Sequence, residues 1–222
     1  MQLYMRCTIA WVLLCFVASA QGEEAGTFTI ARLQYGGGGD WYSDPSSLPN
    51  LLRFLRDNTL VDAAAEEARV ALVDEELFSY PYLYMTGHGN ISFSSAEVER
   101  LRRYLESGGF LHADDNYGMD ESFRREMKKV FPLSEWVELP PEHAIFHNHF
   151  DFPRGLPKIH EHDGQRPQAL ALFVEDRLAV VYTYETDLGD GWEDEEVHGD
   201  PPAKRLAALR MGSNIVVWAL SH

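Results

Sequence analysis

The stretch Tyr82-Leu-Tyr-Met-Thr-Gly-His-Gly89, followed by Gly108-Gly-Phe-Leu-His-Ala-Asp-Asp-Asn-Tyr-Gly118, reads as strand, polar turn, helix, Gly-Gly stop, strand, polar turn. The helix lies between the two quoted parts. Ser94-Ser-Ala-Glu97 opens it with the form of a capping box, in which the serine hydroxyl and the glutamate carboxylate each take an orphan amide. Val98, Leu101 and Leu105 recur at helical spacing, and Gly108-Gly109 ends the helix. In an open α/β sheet, ligands sit outside the carboxyl ends of the strands. Both polar turns fall there, so His88, Asp114, Asp115 and Asn116 are the first candidates for a ligand site.

The flanking sequence extends the same pattern. Thr27–Gln34 alternates with period two and predicts the first strand. A Gly36–Gly39 run and Asp40-Trp41-Tyr42 follow as a loop, and Ser46 or Ser47 caps a helix with Leu48, Leu51, Leu52 and Leu55 on its apolar face. Leu60–Asp62 and Arg69–Val73 read as short strands, and Asp74–Phe78 as one helical turn. After the central unit, Asp120 caps a helix reaching Val130, and Leu139–Gly164 is a Pro- and His-rich insertion without a clean period. Ala169–Val174 and Leu178–Tyr184 form a hairpin turning at Glu175-Asp176, and Thr186–Asp200 is a Gly/Asp/Glu loop. Pro201-Pro202 opens a last helix with Leu206, Leu209, Val216 and Leu220 on its buried side. The sum is a doubly wound, mostly parallel α/β domain with an antiparallel β-hairpin extension.

Size and charge narrow the function. The chain has 222 residues, with 35 Asp and Glu against 19 Lys and Arg, a net charge of −16. No basic tract is available to track phosphates, which argues against nucleic acid as a partner and against anionic membrane surfaces. Arg6, the apolar run Ile9–Val17 and Ala18-Ser19-Ala20 have the form of an export leader over residues 1–20, leaving one domain over 21–222. The run is shorter than the roughly 20 residues of a spanning helix, so cleavage is favoured over an N-terminal membrane anchor. Leu14 before Cys15 is larger than lipoprotein sites usually accept. The expected location is periplasmic or extracellular, with no membrane span once the leader is gone. Both cysteines, Cys7 and Cys15, fall in the leader. The remaining chain therefore has no thiol nucleophile, disulfide or cysteine-ligated metal.

Each candidate has a structural alternative. Adjacent carboxylates at Asp114 and Asp115 suit cation binding or acid–base work, but neighbours at a strand end point different ways, and one could cap a turn while the other pairs with an arginine. His88 stands between glycines that permit close approach, or is a turn histidine bonded to backbone. Gly36–Gly39 reads as a loop needing positive φ in preference to an anion nest. Asp40 and Trp41, with Tyr117 and Trp192, could give an aromatic rim for a sugar or other neutral polar ligand; the alternative is that the rings are buried. His143, His147, His149, His160 and His162, with Glu161 and Asp163, crowd the insertion. Of these His147, His149, His160 and His162 are the candidates for a divalent metal, since imidazole and carboxylate suit zinc. The spacing matches no metal signature, and loop-pinning hydrogen bonds are the alternative. Asp187, Asp190 and Asp194 read as a solvated charge run in preference to a cation site.

The segments Tyr35–Tyr42, Pro81–Gly89 with Tyr80, Gly108–Asp120, His143–Phe150, Gly155–Gly164 and Thr186–Trp192 together resemble one uncharacterised bacterial family, domain of unknown function 4159, across nearly the whole chain after the leader. The family is grouped with the class I glutamine amidotransferase-like proteins. The resemblance implies a flavodoxin-like fold and export or membrane association, and it implies no established activity. In that superfamily a Gly-rich turn supplies oxyanion donors and an elbow presents a cysteine. Thr86-Gly87-His88-Gly89 looks like the turn and Ala113-Asp114-Asp115-Asn116 like the elbow, with carboxylates where the thiol would be. A thioester route is thereby excluded. Two functions follow: a binding protein for a polar small molecule or an envelope protein partner, or a metal-assisted or carboxylate/His hydrolase of an exported polar substrate such as a glycan fragment.

Overall fold

The structure, a computed structural model, describes residues 26–222. The expected leader and both cysteines lie outside the described residues. In chain order the elements are β1 (Ala31–Gln34), α1 (Ser47–Asn58), β2 (Ala68–Ala71), a 3-10 turn (Glu75–Ser79), β3 (Tyr82–Met85), α2 (Ser95–Glu106), β4 (Phe110–Asp114) and α3 (Asp120–Val130). Then come β5 (Val137–Glu138), a 3-10 turn (Ala144–Phe146), β6 (Gln168–Val174), β7 (Arg177–Tyr184), α4 (Leu188–Trp192), α5 (Glu195–His198) and α6 (Pro202–Ser221).

One seven-stranded sheet has the order β2-β1-β3-β4-β7-β6-β5. The first five strands of that order are parallel, and β6 and β5 extend the sheet antiparallel beyond β7. With β7 in fifth place, the parallel part has the 2-1-3-4-5 order of a flavodoxin-like sheet, whose switch point lies between β1 and β3. Every residue of β3 and β4 is buried, as expected of central parallel strands covered on both faces. One face packs on α2 and α3 through Val98, Leu101, Phe123 and Met127. The other packs on α1, α4 and α6 through Leu51, Leu55, Trp192, Met211 and Ile215.

The capping box of α2 is formed: the Glu97 amide donates to Ser94 Oγ at 3.3 Å, and the Ser94 amide donates to Glu97 Oε2 at 2.7 Å. The hairpin is also where the pattern put it. Elsewhere the structure corrects the sequence. Leu60–Asp62 is not a strand; only Ala63 bridges, to Phe28. Ser46 precedes α1 without capping it, and its hydroxyl instead links Glu193 and the Asp194 amide. Met119, not Asp120, is the N-cap of α3, while Asp120 pairs with Arg124 one turn on at 2.6 Å. Thr186–Asp200 is not an open loop but contains α4 and α5. Leu206 and Leu220 of α6 are exposed, and Ala208, Met211, Gly212 and Ile215 face inward. Small residues select that face: a Cβ on Gly212 would lie 2.7 Å from the Trp192 ring. Among the described residues, no helix is long and apolar enough to cross a membrane.

Residues 139–167 cross between β5 and β6 with a single 3-10 turn, so other groups must satisfy their backbone. Buried Asn214 of α6 donates to the carbonyls of Ile145 and Phe150 and accepts from the Phe150 amide. Nearer the sheet, Thr186 donates its hydroxyl to the Pro157 carbonyl, and its own carbonyl accepts from the amides of Ile159 and His160.

Candidate functional site

The loops after β1 and β3 meet across the switch point. Gly37 and Gly38 have φ of 111° and 95°, and a Cβ on Gly37 would sit 2.6 Å from the Ser92 amide nitrogen. The amides of Gly39 and Asp40 donate to the carbonyls of Asn90 and His88, so the glycine run serves loop pairing. The Asp40 carboxylate accepts from the His88 amide and lies 3.1 Å from His88 Nδ1. His88 is half exposed, and its Nε2 has no protein partner among the described residues. Tyr117, 59% exposed, stands edge-on to the His162 ring at 6.0 Å and extends this rim.

Beneath the rim is a buried polar network. Asp114 accepts from the amides of Gly189 (2.6 Å) and Leu188 (3.3 Å), from Tyr84 (3.3 Å) and from the Thr183 hydroxyl. Asp115 accepts from the Tyr182 hydroxyl at 3.1 Å and the Glu185 amide at 2.9 Å. Tyr84 and Tyr182 belong to opposite cores, so the adjacent carboxylates diverge as strand geometry requires. Among the described residues no arginine pairs with either. Asn116 donates to Asp44 Oδ2 at 3.3 Å and joins the network to the β1 loop.

The end of β7 brings in the insertion. Glu185 and Asp187 have φ of 57° and 59°, flanking Thr186, which holds the insertion backbone. His162 Nε2 lies 3.1 Å from Asp187 Oδ2, and His162 Nδ1 is 3.5 Å from Asp115 Oδ2. Lys158 closes on Glu185 at 2.6 Å. His160 Nδ1 lies 2.7 Å from Asp190 and its Nε2 2.9 Å from Asp200. His198 Nε2 approaches the other Asp190 oxygen at 3.4 Å. Two buried atoms of this group, His162 Nδ1 and Asp187 Oδ1, lack a hydrogen-bond partner among the described residues.

Burial and mutual charge set the protonation. Burial pushes the Asp44 carboxyl up to about 8, with Asp190, Asp187 and Glu193 adding to the effect and Arg32 opposing it. Burial and the charge of Asp187 push Asp114 to about 8 against the pull of Thr183, Gly189 and Leu188. Hydrogen bonds to Asp187 and Asp190 raise His160 to about 10. Burial would lower His162, but Asp115 and Asp187 overcome it and raise it to about 10. Asp187 is held well below the usual carboxylate range: burial would raise it, and the two imidazoliums prevail. The arrangement keeps Asp187 ionised between two cations while Asp44 and Asp114 are shifted toward the protonated form, a division of roles suited to binding polar ligands or moving protons.

The expected site residues therefore divide. Asp40 pairs with His88 at the rim, and Asp114, Asp115, Asn116, His160 and His162 join the network. His147 and His149 do not join it: His147 bonds Asp151 and the Pro141 carbonyl, and His149 the Asn58 carbonyl. Trp192 is fully buried, donating to the Ala208 carbonyl, and offers no rim face, whereas Trp41 beside Asp40 is partly buried against the core. Asp187 and Asp190 are not a solvated run; helical burial of Leu188 and Trp192 draws them inward. Asp194 accepts from Asn50. Asp44, Glu185, His198 and Asp200 were not singled out by sequence. The apolar pair Leu188 and Trp192, four residues apart, was the available sign that this stretch folds inward.

The sequence model of a family described as domain of unknown function (DUF4159) matches residues 29–220. No curated protein matches the chain. A crystal structure at 2.30 Å resolution, described as that of a ThuA-like protein from Bacteroides uniformis ATCC 8492, is similar at 13% identity over 91% of this chain and 95% of that one, with a TM-score of 0.43.

Proposed function

The chain belongs to the DUF4159 family, and from that premise we propose that it is an exported bacterial envelope protein that binds a polar ligand at the switch-point rim and is not a cysteine-dependent glutamine amidotransferase. The observation that carries the reading is the Asp40–His88 pair joining the loops after β1 and β3, where a doubly wound sheet takes its ligands. Tyr117 adds an exposed aromatic face beside it. In the amidotransferase-like comparison the His88 amide would be an oxyanion donor; here it donates to Asp40, and no cysteine follows position 15. Both features favour recognition over acyl transfer.

The test is a thermal-shift and calorimetric screen with soluble glycan fragments and free amino acids. A ligand that stabilises the wild type, and not His88→Ala or Tyr117→Ala, supports the proposal. Equal stabilisation of the variants, or none of the wild type, defeats it. One observation favours hydrolysis as a second reading: Asp40 orients His88 through Nδ1 and leaves Nε2 available, as in a carboxylate-backed general base. Turnover of a bound glycan fragment, lost in His88→Ala with binding retained, would select it. Export is tested by N-terminal sequencing of protein recovered from the periplasm, with a start near Gln21 expected.

A further inference from the structure

We propose that His160, Asp190 and His198 form a binding site for one divalent transition ion of the zinc class. One donor atom from each lies within 4.8 Å of the other two. Zinc at its usual bond lengths sets tetrahedral donors about 3.4 Å apart; His160 Nδ1 lies 2.7 Å from one Asp190 oxygen and His198 Nε2 3.4 Å from the other, so the two imidazoles already flank one carboxylate. Two imidazoles with carboxylate oxygens suit zinc-class ions better than magnesium or calcium.

Two further observations point to a ligand. The Asp187 carboxylate, 2% exposed, adjoins the site, its Oδ2 3.5 Å from His160 Nδ1. Its Oδ1 is buried with no hydrogen-bond partner among the described residues. The outer support is also in place. Asp200 accepts from His160 Nε2 at 2.9 Å and is itself held by Lys204 at 2.9 Å. This leaves Nδ1 as the metal-facing nitrogen, in the carboxylate–histidine arrangement that orients metal ligands. On binding, the metal takes the place of the proton between Nδ1 and Asp190, which passes to solvent. The neighbouring group of Asp115, His162 and Glu185 is less suited, because Lys158 already lies 2.6 Å from Glu185.

This site stands apart from the rim and is tested without any organic ligand. The full chain, free of histidine tags and stripped by chelator, is titrated with Zn²⁺ by calorimetry against a competing chelator, and with Co²⁺ by visible absorption. The expected result is one equivalent bound, with the intense visible band of four-coordinate cobalt, and at least a 100-fold loss of affinity in His160→Ala and in His198→Ala. Asp200→Asn, which removes the carboxylate behind His160 and no metal donor, should weaken binding about 10- to 100-fold. His198 lies on the short, exposed α5, so its variant keeps the test valid should His160→Ala unfold. No binding by the wild type, unchanged affinity in the His160→Ala/His198→Ala double variant, or loss on His162→Ala alone would each overturn the proposal.

Discussion

His112 gives a prediction that can be worked through in numbers. It is fully buried on β4, its Nδ1 2.9 Å from the Tyr82 hydroxyl and its Nε2 3.0 Å from Thr183 Oγ1. Thr183 gives its one proton to Asp114, so it accepts from His112 Nε2–H, and Tyr82 donates to Nδ1. This assigns a neutral Nε2–H imidazole, and burial lowers its pKa from 6.5 to about 3. The folded value is depressed, so stability is present above pH 6.5 and lost as pH falls from 6.5 toward 3, because the unfolded chain takes the proton first. Between pH 7 and pH 5 the loss is about 2 kcal/mol, from 1.36 kcal/mol per unit of differential protonation. His112→Gln keeps an acceptor and a donor but cannot titrate. It should cost about 1 kcal/mol at pH 7 through imperfect hydrogen bonds, and that deficit should shrink, then reverse, by pH 5. Urea unfolding of both proteins at each pH is the assay. The difference between them cancels His160 and His162, whose raised pKa values act with the opposite sign. A difference independent of pH would refute the assignment of a buried neutral imidazole.

Three other substitutions test the packing and hydrogen bonds that hold the fold. Gly191→Ala places a Cβ 2.5 Å from that of Ala208 and should lower stability by about 1–3 kcal/mol, read as a reduced Tm. Asn214→Ala unpairs the Ile145 and Phe150 carbonyls and the Phe150 amide, and should cost about 3 kcal/mol and speed hydrogen exchange at Phe150. Ser94→Ala removes half of the α2 capping box and should cost about 1 kcal/mol in urea unfolding, with the distant Asp/His network unaffected.

Local chemistry explains what was legible in the sequence. The β3–α2–β4 unit, the capping box and the β6–β7 hairpin each declare themselves within a few residues, and the sheet follows from them. The failures are long-range. Thr59 Oγ1 accepts from the Val61 amide, and Ala63 alone pairs with Phe28, so the apolar Leu60–Val61 stretch turns instead of forming a strand. Leu206 and Leu220 fit a helical stripe, but Trp192 packs on Gly212 and Ala208 and rotates α6 onto its small-residue face. The insertion histidines look alike in sequence. Only His160 and His162 follow Pro157, the residue tied to Thr186, and reach the strand ends; His147 and His149 bind nearer or unrelated backbone.

The cost of the network indicates why it exists. Asp44, Glu185 and Asp187 are non-glycine residues at positive φ, a conformation worth about 1–3 kcal/mol each where it is strained, and it persists only where the surroundings over-determine it. Here they do. With Glu185 and Asp187 in this conformation, the Thr186 carbonyl meets the insertion backbone, Glu185 meets Lys158 and the Asp163 amide, and Asp187 meets His160 and His162. Unwinding either residue would release the insertion and strand buried charges. Buried ion pairs add little stability over apolar packing, so folding alone does not call for this many ionisable groups at the carboxyl ends of the central strands. They concentrate where the sheet presents its ligand-binding end, and strain, burial and the unpartnered oxygen of Asp187 coincide there. On the proposed reading, the network is a site held in readiness by the fold and not a device that holds the fold together.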